Sequence, residues 1–188
     1  MNVWESLVTE IENNNWLPLI GMISELKQCD ELGVISASIA MGFIAIDTMA
    51  SLAREEEKCR ATRADFQEWV NRYLKGDPEQ TYQYRGKDVY AARCAFLHSY
   101  SSDAELHEKD QDIIKFLYHD GGRHTYSPSV NENMVVIATR SFVHDIICAA
   151  NDFLDECGRD IKLRTRVESR LSSILQTTPY PNKLTTEE

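Results

Sequence analysis

The stretch GVISASIAMGFIAIDTMASLAR, residues 33–54, is the longest apolar segment of the chain. Its many Ala, Ser and Gly residues let neighbouring helices approach closely, so we expect a helix at the centre of a bundle. Asp47 lies in the middle of this segment with apolar residues on both sides. An unpaired buried charge is costly, so Asp47 is expected to face a polar edge, to pair with a neighbouring helix, or to support a catalytic site.

Amphipathic patterns on both sides of this segment predict further helices. Thr62 is placed to cap one of them, which we expect to end at Gly76. The segment from Asn133 starts extended and becomes an amphipathic helix that closes near Gly158. The remaining predicted helices are Asn2 to Asn13, Leu17 to Gln28 and Ile161 to Leu175.

A different pattern occupies residues 113–127, IIKFLYHDGGRHTYS, where a β-rich run is followed by Asp120-Gly121-Gly122 and a return through His124. This pattern predicts a short β-hairpin. The fold class is therefore mainly α, a helical bundle with a short β-hairpin insertion. We expect residues 1–30 to be an N-terminal helical extension packed on the bundle, residues 31–176 to form the bundle and residues 177–188 to be a disordered tail.

Composition excludes several classes of protein. The 188 residues are 43% hydrophobic, which is enough for the core of one domain. The five cysteines are scattered without a C-x-x-C pair, which predicts reduced thiols rather than a disulfide framework or a zinc site. The net charge of −10 argues against broad affinity for nucleic acid. No membrane span or signal peptide is expected, and we predict a cytoplasmic protein without a metal or other cofactor.

The segment DVYAARCAFLHSYSS, residues 88–102, carries the candidate chemistry. Arg93 and His98 lie on a predicted, otherwise apolar helix, and Tyr100 follows two places later. Histidine titrates near neutral pH and can move a proton, while arginine keeps its charge and offers a planar fork of donors to a phosphate. Arg93 and His98 are therefore the candidate catalytic residues. The alternative is structural: an arginine paired with an acid of an adjacent helix and a histidine bonded to a backbone carbonyl.

The pattern Arg-x4-His-x-Tyr resembles the signature of the HEPN family, small helical bundles many of which are metal-independent ribonucleases and toxins. The resemblance implies an endoribonuclease in which the RNA 2′-hydroxyl attacks, leaving a 2′,3′-cyclic phosphate. It also implies that Tyr100 belongs to the version found in toxins paired with a nucleotidyltransferase antitoxin, in toxin–antitoxin or phage-defence systems. The residue after the arginine is usually polar in active members, and here it is Cys94. We take Tyr100, Cys94 and Asp47 as residues that support the site.

Helical geometry suggests that this site needs a second copy of the chain. Five residues rotate a side chain by roughly 140° and raise it about 7.5 Å, so we expect one helix not to aim Arg93 and His98 at a single point. A two-fold axis can bring both pairs into one cleft, as the family resemblance also implies, and we predict a homodimer.

The segment around the motif is locally basic within an acidic chain. Arg85, Lys87 and Arg93 outnumber Asp88 between residues 84 and 98, which suits a phosphate-holding pocket. The preceding QTYQYRGK, residues 80–87, is either a surface loop or a place where Tyr82 and Tyr84 stack on bases. The competing function is a catalytically silent HEPN-like bundle that binds a partner protein or a nucleotide, favoured by Cys94 and the acidic composition.

Overall fold

A computed structural model of the chain describes residues 16–175. The predicted helix at Asn2 to Asn13 and the predicted tail at 177–188 lie outside the described residues. Those described form seven helices and two short strands. These are α1 (Leu17–Glu31), α2 (Ile35–Ala53), α3 (Arg63–Tyr73), α4 (Gly86–Ser99), α5 (Glu105–Lys109), β1 (Lys115–His119), β2 (Met134–Ala138), α6 (Thr139–Arg159) and α7 (Ile161–Leu171). The prediction of a mainly helical bundle with a short β insertion is confirmed.

Helix α2 is the central element, as its sequence predicts. It packs against α1, α3, α6 and α7, and Phe43, Ile46 and Met49 are fully buried along it. Its small residues allow close packing, since a Cβ on Gly42 would lie 2.8 Å from Cδ1 of Ile146 on α6. The five cysteines are free, which agrees with the expectation of reduced thiols.

By length and composition alone, α2 is apolar enough to cross a membrane, which the sequence reading did not anticipate. Half of the apolar window is buried inside the bundle. A single helix of this kind is weak evidence for a membrane span, because the core helix of a soluble protein passes the same test.

Helix α1 is the described part of the predicted N-terminal extension. Pro18 lies in its first turn, as expected, and Leu19 and Leu26 are fully buried. Because α1 contacts both α2 and α6, its apolar side joins the common core. The division of the chain at residue 30 stays a prediction.

Helix α3 begins where the sequence predicts. Thr62 accepts a hydrogen bond from the Asp65 backbone N–H, and the Asp65 carboxylate accepts one from the Thr62 N–H at 2.7 Å. This reciprocal capping box satisfies backbone donors that a helix start leaves free. The helix ends at Tyr73, three residues before the predicted stop at Gly76.

The predicted β-hairpin is wrong in its pairing. Strand β1 pairs in parallel with β2, from Lys115 with Met134 to His119 with Ala138, and residues 120–133 connect the two strands. The predicted return through His124 is reduced to an isolated antiparallel bridge between Thr125 and Val136 and to a hydrogen bond from the Ala138 N–H to the His124 ring. The Asp-Gly-Gly turn is present, but apolar burial decides the partner strand: Val135 and Ile137 are fully buried, whereas residues 125–127 are exposed or half-buried.

Helix α6 follows β2 directly, so the prediction of an extended start that becomes an amphipathic helix is confirmed. Its buried face includes Phe142, Ile146 and Phe153. Helix α7 ends at Leu171 rather than at the predicted Leu175.

Candidate active site

The helix that carries the motif, α4, is held at its N-terminal end by close packing on α3. A Cβ on Gly86 would lie 2.4 Å from the Gln67 carbonyl oxygen, so only glycine fits there without a shift. The Gly86 N–H donates to the side-chain oxygen of Asn71 at 2.7 Å. Small buried residues, Ala92 and Ala95, then bring the helix close to its neighbours. This packing leaves the side of α4 that bears the motif partly open to solvent.

Arg93 lies between Asp47 and His98. Its Nε donates to Asp47 Oδ2 at 2.6 Å, and its Nη1 lies 3.0 Å from His98 Nε2. A guanidinium has no acceptor, so Arg93 is the donor in both contacts. In this arrangement His98 Nε2 is the accepting nitrogen, and the neutral ring carries its proton on Nδ1.

The expectation that one α4 helix does not bring Arg93 and His98 together is wrong. The rotation along the helix is as calculated, but the long arginine side chain spans it and reaches His98 within one chain. Bringing Arg93 and His98 together therefore does not require a second copy of the chain. The homodimer itself stays a prediction.

The Asp47–Arg93 pair joins the central helix to the motif helix. The side chains are 32% and 22% exposed, so the pair is accessible from solvent. Burial raises the pKa of Asp47, although the hydrogen bond from Arg93 opposes this effect. Burial alone lowers the pKa of Arg93, but the hydrogen bond and charge of Asp47 outweigh it, and that pKa is raised. The ion pair expected as the structural alternative for Arg93 and Asp47 is thus present, and it lies in direct contact with His98.

Tyr100 closes α4 in a strained conformation. Its φ of 48° is the one positive φ of a non-glycine residue within residues 16–175. The side chain is 72% exposed, its ring contacts Phe96 and its hydroxyl lies 2.5 Å from Ser36 Oγ at the start of α2. An aromatic residue in the left-handed region costs about 1 kcal/mol, and such outliers cluster at functional sites.

Cys94 is half-buried on α4. Burial, and to a lesser extent the neighbouring Cys94 thiol, raises the pKa of Tyr90. Tyr90 therefore belongs to the same surface, which the sequence reading missed. The signal was available, because Tyr90 precedes Arg93 and Cys94 by three and four residues and so shares their side of a helix.

The locally basic charge expected around the motif is largely compensated. Arg85 pairs with Asp88 and Asp112, and Lys87 also pairs with Asp112. Asp112 lies outside residues 84–98, the segment that was predicted to be locally basic. Neither Arg85 nor Lys87 is therefore a free cation beside Arg93.

Tyr82 and Tyr84 do not form a stacking surface for bases. They are 4% and 8% exposed, so both the surface-loop and the base-stacking expectations for these rings are wrong. The Tyr82 hydroxyl donates to Asp88 at 2.8 Å, and the Tyr84 hydroxyl donates to Asp145 at 2.8 Å.

A buried histidine completes this second cluster. His124 Nδ1 accepts from the Ala138 N–H at 3.1 Å, and its Nε2 lies 2.6 Å from the Tyr84 hydroxyl. With Nδ1 accepting, Nε2 carries the proton and donates to Tyr84, which in turn donates to Asp145. Burial lowers the pKa of His124 to about 4, so the ring is neutral at pH 7. The chain His124–Tyr84–Asp145 ties the β insertion to α6.

Within residues 16–175, no group of three or more His, Cys, Asp or Glu side chains is arranged to hold a metal ion. Comparisons with protein-family models, with curated proteins and with solved structures find no match. The likeness to the HEPN family therefore rests on the motif and on the helical bundle that carries it.

Proposed function

We propose that the chain is a HEPN-like, metal-independent endoribonuclease, with Arg93 and His98 as catalytic residues. The observation that carries the proposal is the hydrogen-bonded series Asp47–Arg93–His98 on a solvent-accessible side of α4. A permanent cation and a neutral imidazole in contact are the two groups that cleavage by the RNA 2′-hydroxyl needs.

The arrangement suggests an order of events. In the free protein the lone pair of His98 Nε2 is occupied by Arg93. A scissile phosphate that draws the Arg93 guanidinium toward its oxygens frees this nitrogen to take the proton of the 2′-hydroxyl. The attacking 2′-oxygen forms a bond to phosphorus and closes the 2′,3′-cyclic phosphate, while the bond from phosphorus to the 5′-oxygen breaks. His98 returns the proton it took to the leaving 5′-oxygen, and Arg93 stabilises the charge that builds on the phosphate. Asp47 orients Arg93 throughout.

A homodimer and an antitoxin partner belong to the same proposal. Exposed apolar side chains occur on the turn before α2, on α2 itself and at the end of α4: Leu32, Val34, Ile35, Ile44 and Tyr100. Exposed apolar side chains on the two helices that carry the series suit a surface that another chain covers, here a second copy. By the family resemblance, Tyr100 would be the contact or target of a nucleotidyltransferase-type antitoxin in the cytoplasm.

RNA cleavage by the purified chain in the presence of a metal chelator tests the proposal. We expect Arg93→Ala and His98→Ala each to reduce the cleavage rate at least about 100-fold with little change in thermal unfolding, because the motif side chains are partly exposed. The matched controls are Arg140→Ala and His144→Ala, exposed residues on α6 that should cleave like the wild type. Undiminished cleavage by both motif variants would remove these residues from the site.

A silent binding module is the second candidate, and Cys94 favours it. Cys94 occupies the place directly after Arg93 where active members usually carry a polar group. A silent module should not cut RNA, and its expression should leave growth of the host unaffected. An active toxin should slow growth, and the His98→Ala variant should restore it.

A further inference from the structure

Arg63 and Tyr90 form a pair beside the candidate active site. Arg63 is the first residue of α3, and its Cζ lies 5.5 Å from the centre of the Tyr90 ring on α4. Phe66, about one turn further along α3, packs edge-to-face with the Tyr90 ring at a centroid distance of 5.3 Å. A cation at this distance over an aromatic ring is attracted by the ring's negative face.

Arg63 carries a charge that no acid balances within residues 16–175. Within that part of the chain the Arg63 side chain contacts the Tyr90 ring, whereas Arg72, Arg85 and Arg93 each pair with a carboxylate. Arg63 also lies at a helix N-terminus, where the dipole disfavours a cation. Neither an ion pair nor helix stability therefore accounts for Arg63.

The pair is continuous with the Asp47–Arg93–His98 series. Tyr90 and Arg93 lie on the same helix, one helical turn apart, so their side chains share one side of α4. Along α4 the order is thus Arg63 and Tyr90, then Arg93, then His98, with Arg93 in the middle.

We propose that Arg63 and Tyr90 bind the nucleotide next to the scissile phosphate of a single-stranded RNA. The guanidinium contacts the neighbouring phosphate, and the base stacks on the Tyr90–Arg63 pair. Stacking of this kind tolerates any base, so the pair contributes affinity and register rather than sequence preference. The inference rests on the proposed function for the identity of its ligand, and it assigns the side of α4 along which the strand runs.

Binding of a fully 2′-O-methylated RNA oligonucleotide tests the inference without cleavage, because this RNA has no free 2′-hydroxyl. Fluorescence anisotropy is measured with the full chain over a series of salt concentrations. We expect Arg63→Gln to weaken binding roughly 10-fold and to reduce the slope of log affinity against log salt by about 0.7, the value for one phosphate contact on a single strand. Arg63→Lys should keep the slope but lose part of the affinity, since a lysine is a poor stacking partner.

The control is Arg140→Gln, which removes the same charge from an exposed arginine on α6 and should leave the slope and affinity unchanged. Equal affinity and slope for Arg63→Gln and wild type would overturn the inference, as would the absence of binding by the wild type. The proposed function fails separately: a wild type that binds the oligonucleotide through Arg63 but never cuts unmodified RNA retains the binding site and loses the ribonuclease.

Discussion

The two ends of α4 present two polar clusters built from similar residues and with opposite properties. At the N-terminal end, Asp88 is fully buried and accepts from the Tyr82 hydroxyl, from two nitrogens of Arg85 and from the Ile114 N–H. Toward the C-terminal end, Asp47 is 32% exposed and, among residues 16–175, accepts from Arg93 alone. The buried cluster has its carboxylate satisfied, while the accessible one keeps hydrogen-bonding capacity for a ligand.

The histidines show the same contrast. His124 is 2% exposed and both of its ring nitrogens have partners within the protein. His98 is exposed, and its one hydrogen-bond partner in the described part of the chain, Arg93, is itself a candidate ligand-binding group. The structural cluster thus differs from the candidate site in burial and in how many of its hydrogen-bonding groups have a partner, rather than in residue type.

Replacing each of the two aspartates is the strongest test of the difference between the buried cluster and the accessible one. Asp88→Asn should lower the free energy of unfolding by roughly 4 kcal/mol, because it removes a charge that compensates a partly buried arginine and turns acceptors into donors. Asp47→Asn should cost less than about 1 kcal/mol, since its pair is accessible to water. Urea unfolding of both variants provides the measurement. Similar losses for the two would show that the Asp47 pair is as structural as Asp88.

The pH dependence of stability tests the buried histidine. The folded state lowers the pKa of His124 from 6.5 to about 4, so between these values the unfolded chain binds more protons and stability rises with pH. The contribution of His124 is complete above pH 6.5 and is lost as pH falls toward 4. At about 1.4 kcal/mol per pKa unit it amounts to roughly 3 kcal/mol.

Unfolding free energies measured from pH 4 to pH 7 for wild type and His124→Gln check this sign. The variant should be less stable at pH 7 and should show a shallower rise across the interval, because glutamine does not titrate. Parallel profiles for the two proteins would mean that His124 is not held neutral by the fold.

The sequence predicts local features well and long-range pairings poorly. The central position of α2, the Thr62 cap and the extended start before α6 follow from composition, capping and periodicity, which act over a few residues. The parallel pairing of β1 with β2 depends on contacts between segments about twenty residues apart, so the Asp-Gly-Gly turn was misleading. The burial of Tyr84 likewise depends on Asp145, which lies 61 residues away.

The candidate site, like the fold, was predicted from the sequence only in part. The residue types of Arg93 and His98 and the isolation of Asp47 are visible in the sequence, and these three side chains do meet. Their meeting within one chain was missed because a calculation on helix rotation ignores the reach of an arginine. Ser36 and Arg63 were missed because they approach α4 from other helices, without any periodic signal.

Relief of backbone strain at Tyr100 gives the smallest predicted change in the free energy of unfolding. The buried cluster has ordinary backbone conformations, whereas the candidate site ends on a tyrosine with a φ of 48°. Tyr100→Gly should relieve this strain and raise the free energy of unfolding by about 0.5–1 kcal/mol, because glycine adopts the left-handed region freely and an exposed ring loses little packing. Tyr100→Phe keeps the strain and loses only the exposed hydrogen bond to Ser36, so it should change stability by less than about 0.5 kcal/mol.

If both variants instead lose 1 kcal/mol or more in thermal unfolding, Tyr100 is a packing residue and the left-handed turn stores no strain for the site. A stabilised Tyr100→Gly that also loses RNA cleavage would assign the strain to function, since the same substitution would then separate stability from activity.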